Sequence, residues 1–128
     1  MLNYKIKIFD NFLETEDLKE LSIYAKNLNN DRDVHVFHNE IDINNKILNA
    51  SIDKGLLLRL NKKYLEKGIS ILKELNKEKV SLIDYSDFTI IKTKKNKKFP
   101  IHDDTFNKLL SGVVYLYPEN NIGTTFYN

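Results

Sequence analysis

Two observations predict an α+β domain with helices laid against one face of a mainly antiparallel sheet. Apolar residues recur at three, four and seven through much of the first eighty positions, whereas short β-rich runs take over after Lys79. A chain of 128 residues and 15.1 kDa fits one domain. At that size it can bury roughly two-thirds of the surface it exposes unfolded, so a core is within reach.

Tyr4, Ile6 and Ile8 alternate with Lys5, Lys7 and Phe9, the period of two that predicts a strand over Tyr4–Phe9, turned by Asp10-Asn11. Thr15 is placed to cap a helix over Glu16–Leu28, with Glu16 and Asp17 in the first turn where the helix dipole favours negative charge. Leu18, Leu21, Ala25 and Leu28 form its apolar face. Residues 29–33 read as a polar loop. Val34-His35-Val36-Phe37 is strand-like, but Asn44, Asn45 and Asn49 interrupt the pattern, and residues 34–52 are assigned no element.

Asp53 is the expected cap of a long helix reaching Asn76, whose stripe is Leu57, Leu58, Tyr64, Leu65, Ile69, Leu72 and Leu75, with Gly68 inside it. Strands are then predicted over Ser81–Tyr85, Phe88–Thr93, Phe99–Asp104 and Leu109–Tyr117. Lys94–Lys98 and Pro118–Asn121 read as turns, and a further run follows over Gly123–Tyr127.

Composition narrows the function. Hydrophobic residues at 41% and charged residues at 30%, with 4 Gly and 2 Pro, exclude collagen-like and linker-like chains. A formal charge of +2 is too small to imply a nucleic-acid or membrane partner. The absence of cysteine means that any metal must be held by His, Asp, Glu or main-chain oxygen. No stretch approaches the ~18 apolar residues that span a bilayer, and residues 1–7 lack the apolar run of a signal peptide, so a cytoplasmic location is expected.

His102-Asp103-Asp104 is the cluster with metal-ligand spacing. On a strand, residues two apart share a face, so His102 and Asp104 can grip one ion while Asp103 points away. An imidazole and a carboxylate are two members of the 2-His-1-carboxylate triad that binds Fe(II) and leaves positions open. The alternative is an acidic surface turn after Pro100 that caps Thr105 and its neighbours.

Three stretches around this motif resemble the Fe(II)- and 2-oxoglutarate-dependent dioxygenases of the prolyl-hydroxylase-like branch, in their N-terminal part. Ile8–Leu18 is similar to the family's D-N-F-L start and acidic helix. Lys92–Asp104 is similar to its strand, turn and strand into H-x-D, with Asn96 where a turn glycine is usual. Leu109–Pro118 followed by Gly123-Thr124 resembles the next core strand and its small-residue turn.

The resemblance implies a partial double-stranded β-helix (jelly roll) with the N-terminal helices packed on its sheet. Residues 1–80 would supply the first strand and the helices, and 81–128 the first core strands. It further implies that His102 and Asp104 ligate Fe(II), that 2-oxoglutarate is cosubstrate, and that an unidentified prime substrate is hydroxylated. Tyr115 falls where some members hydrogen-bond the distal carboxylate of 2-oxoglutarate, although an aromatic filling the sheet core is an equal reading.

No histidine follows Asp104, and neither Arg32 nor Arg59 matches the Arg that clamps 2-oxoglutarate. The chain is therefore expected to be a C-terminally truncated oxygenase domain with little turnover of its own. The alternative is a non-catalytic domain that keeps the sheet and self-associates through exposed strand edges. His35 or His38 folding over to supply the missing nitrogen is a lesser possibility beside a hydrogen-bonded role in a packed loop. The Lys94–Lys98 run is read as a solvated turn in preference to a nucleic-acid contact, because only Phe99 adjoins it for stacking.

Overall fold

A computed structural model describes residues 5–29, 31–94 and 108–116. In chain order the elements are α1 (Thr15–Asn27), β1 (Val34–Phe37), β2 (Glu40–Asp42), β3 (Ile47–Asn49), α2 (Lys54–Asn76), a 3-10 turn over Lys77–Leu82, β4 (Tyr85–Asp87) and β5 (Ile90–Thr93). The architecture is α+β, and every strand pairing is antiparallel.

The segment left unassigned by its sequence pattern carries three of the five strands. β1 pairs with β5 in one small sheet, and β2 sits between β3 and β4 in the other. These sheets share one ribbon. Val34 opposes Thr93, Phe37 opposes Ile90, Glu40 opposes Asp87 and Asp42 opposes Tyr85, so the paired numbers keep a constant total and no residue is inserted between the sheets. The ladder is interrupted only at His38-Asn39 and Phe88-Thr89. Along the inner strand, Asn39 and Ile41 are buried, so His38, Glu40 and Asp42 fall on the outer face.

Asn39 holds the interrupted stretch together. Its side-chain amide donates to the Phe88 carbonyl at 2.9 Å, and its own carbonyl accepts from the Phe88 amide at 2.8 Å. Its Oδ1 accepts from the Ser51 amide and hydroxyl and from the Ile52 amide. With 0% exposure, Asn39 is a buried polar residue whose side-chain donor and acceptor both have partners.

α2 is the spine. Asp53 caps it by accepting from the Leu56 amide at 2.9 Å, as its sequence position predicts. Its inner face is Leu56, Leu57, Leu60, Asn61, Tyr64 and Leu72, while Leu58, assigned to the apolar stripe, is exposed. Leu57 at 0% and Ile41 at 1% lie at the centre of the core with Ala25, Ile52 and Ile90. Asn61 is buried and accepts from the Ser86 hydroxyl, fixing β4 to the helix.

Three expected elements differ. Lys5–Phe9 forms no strand and is exposed throughout. Its alternation is genuine, but its lysines lie along α2, where the Lys5 ammonium donates to the Leu75 carbonyl at 2.8 Å and Lys7 pairs with Glu74. That carbonyl is among the last four of the helix, which lack intrahelical donors. Residues 81–85 are not a strand either, because the 3-10 turn runs to Leu82 and β4 begins at Tyr85. Residues 108–116 adopt no regular element and pair with no described strand, although Leu116 packs against the core.

The helix cap also shifts: Glu14 is the N-cap of α1 and Thr15 its first residue. Asn11, at φ 55°, makes the expected turn with Asp10. The predicted strand Phe99–Asp104, the turn beyond Lys94, and the run after Pro118 lie outside the described residues.

Candidate functional site

His102 and Asp104 lie outside the described residues, so no geometry of the H-x-D motif enters the site. Tyr115 stands half-buried in the irregular 108–116 segment beside Leu116, not on a strand. Of the histidines outside the motif, His35 is stacked on Phe37 with ring centroids 4.1 Å apart, and its Nδ1 is buried without a hydrogen-bond partner.

His38 is placed differently. The ribbon's register puts His38 and Glu40 two apart on one face and Asp87 directly opposite Glu40. Their donor atoms lie within 4.8 Å of one another. His38 Nδ1 is 3.0 Å from Asp87 Oδ2 and 4.0 Å from Glu40 Oε1. Thr89 donates to the other Asp87 oxygen at 2.8 Å, and the Asn39 amide reaches the same oxygen at 3.4 Å. One imidazole nitrogen and two carboxylates thus converge on a partly exposed point, a donor set suited to a first-row divalent cation.

A second constellation joins the helices. Asp17, expected from sequence in the first turn of α1 where the helix dipole favours negative charge, is there and is only 2% exposed. Its two oxygens accept from Arg59 at 2.7 Å, Lys63 at 2.7 Å and the Tyr64 hydroxyl at 2.6 Å. That hydroxyl in turn accepts from the Glu14 amide, and Lys63 also donates to Glu14. Arg59 bridges on to Glu20.

The bond from Lys63, then those from Tyr64 and Arg59, hold the Asp17 carboxyl well below the usual carboxylate range against the opposing effect of burial. Lys63 is pushed up by its bond to Asp17, and Arg59 likewise. Burial, then the adjacent Asp17, raises Tyr64. This arrangement of bonds fastens α1 to α2. The i, i+4, i+5 spacing of Arg59, Lys63 and Tyr64 is the one sequence signal that could have exposed it.

Arg59 is thus paired with Asp17 and Glu20. No helix among the described residues is long and apolar enough to cross a membrane. No protein-family model, curated protein or solved structure matches the chain.

Proposed function

We propose that the chain is the N-terminal portion of a non-haem Fe(II)- and 2-oxoglutarate-dependent oxygenase of the hydroxylase type, cytoplasmic and built on a partial double-stranded β-helix. The observation that carries this reading is the H-x-D motif within its flanking stretches. Supporting it, β5, which precedes the motif in sequence, is an extended strand paired antiparallel with β1, with α2 packed against the core residues of the ribbon. The donor chemistry fits: an imidazole nitrogen and a carboxylate oxygen suit Fe(II), and a second imidazole is needed to complete the triad.

His102 would offer a neutral ring nitrogen and Asp104 a carboxylate oxygen to the ion. Tyr115 would donate its hydroxyl to the distal carboxylate of 2-oxoglutarate. When bound, the iron and its cosubstrate supply the oxygen activation needed for hydroxylation.

Anaerobic calorimetry with Mn(II), in the presence and absence of 2-oxoglutarate, tests the assignment. Cosubstrate is expected to tighten metal binding in the wild-type chain, and the tightening should vanish in His102→Ala and in Asp104→Ala. Tightening that survives both substitutions would remove the oxygenase reading.

A second reading is favoured by the β1–β5 pair, which has no third strand among the described residues and leaves Ile91 half exposed. Such an edge suits a non-catalytic domain that self-associates by strand addition.

A further inference from the structure

We infer that His38, Glu40 and Asp87 form a divalent-cation site that is separate from the H-x-D motif and ties β2 to β4. This inference is independent of the oxygenase reading, because none of its ligands belongs to that motif.

The argument begins with the sheet. Glu40 and Asp87 are direct cross-strand partners, and like charges placed opposite each other on one face destabilise a pair of strands. Among the described residues no lysine or arginine forms an ion pair with either carboxylate; the group facing both is His38. A cation between them converts the repulsion into attraction. Ligand atoms around a first-row ion, each about 2.0–2.2 Å from it, lie near 3 Å apart. The His38–Asp87 separation of 3.0 Å already meets that spacing, and a small rotation of the flexible Glu40 side chain brings its oxygen in from 4.0 Å.

Preorganisation is the second observation. Asn39 lies between two of the ligands and is fully buried. Its bonds to Phe88, Ser51 and Ile52 fix the backbone that carries His38 and Glu40 against the backbone that carries Asp87. Thr89 holds the second Asp87 oxygen, leaving Oδ2 turned to His38. Outer hydrogen bonds that orient a carboxylate in this way are characteristic of metal sites. Mixed nitrogen and oxygen donors select a borderline first-row ion, for which Zn(II) is the probe.

The test uses the full chain carrying His102→Ala and Asp104→Ala, so that the motif cannot contribute. Zn(II) titrated into this double variant in a non-chelating buffer should bind saturably at one equivalent and raise its melting temperature. Adding Glu40→Gln or Asp87→Asn, which preserve shape, should weaken binding by about tenfold or more and remove the rise in melting temperature, and adding His38→Ala should abolish both. Far-UV circular dichroism establishes that each variant is folded. Absence of saturable binding in the double variant overturns the site. So does an affinity unchanged by all three further substitutions.

Discussion

Asn39 does the work of two missing ladder rungs, and its removal should show it. In Asn39→Ala the Phe88 carbonyl and the Ser51 and Ile52 amides lose their partner inside the protein. Leaving buried groups unsatisfied costs about 1–3 kcal/mol each at most, with relaxation and water recovering part of it, so a loss of about 2–4 kcal/mol is expected in urea denaturation. Asp17 makes a pH-dependent contribution. Its folded carboxyl titrates below its unfolded value of 3.8, so the stabilisation is fully present above that value and drains away as the pH falls through the folded one. Urea melts at pH 7, 5 and 3 should show the wild type losing more stability on acidification than Asp17→Asn. Tyr64→Phe, which strands the Glu14 amide and removes one donor to Asp17, should cost about 1–2 kcal/mol in the same melts at pH 7. Neither buried polar residue announces itself in the sequence. Asp17 sits where helix-dipole logic already accounts for an acid, and Asn39 sits in a stretch whose asparagines read as breaks in a strand. Both are explained by partners 12 to 49 positions away, which the pattern around Asp17 or Asn39 itself does not reveal.

At the scale of elements, α2 was legible because 23 residues of helical periodicity and a genuine Asp53 cap agree. Its inner face was read partly out of phase: Leu56 and Leu60 face the core, whereas Leu58 faces outward. A run of three leucines admits more than one phase, and packing decides between them. β1, β2 and β3 are three or four residues each and derive their stability from pairing across the ribbon and hairpin, so their local signal is weak. The opposite error occurs at Lys5–Phe9, where a clean period of two pairs with no strand among the described residues. Within α2, a Cβ at Gly68 would meet nothing within 4 Å. Gly68→Ala should therefore raise stability by about 0.5–1 kcal/mol through helix propensity, read as a higher denaturation midpoint with unchanged slope.

For the whole molecule, the α+β class follows from the order of helical and β-rich patterns, and the antiparallel pairing was foreseen in kind. The ribbon was not, because it joins residues 34–42 to 85–93 across the full length of α2. The motif site read from the sequence, His102 with Asp104, rests on chemistry and spacing, while the triad built on His38 required the fold to bring Asp87 across. Ile91, half exposed on β5, adds apolar surface to the β1–β5 pair, which has no third strand among the described residues. Sedimentation velocity across a wide concentration range separates the two readings of the chain. A sedimentation coefficient that climbs with concentration without added metal supports strand-mediated self-association, and a constant monomeric value excludes that role.

The uninterrupted count through the gap at His38-Asn39 makes the ribbon behave like two rails kept in step by a single coupling. A substitution there loosens the coupling locally. Inserting one residue, by contrast, would advance everything on one side by half a pleat, swinging His35 and Phe37 together out to water and Val34 and Val36 inward, so a change of length at this spot should be far more damaging than any change of side chain.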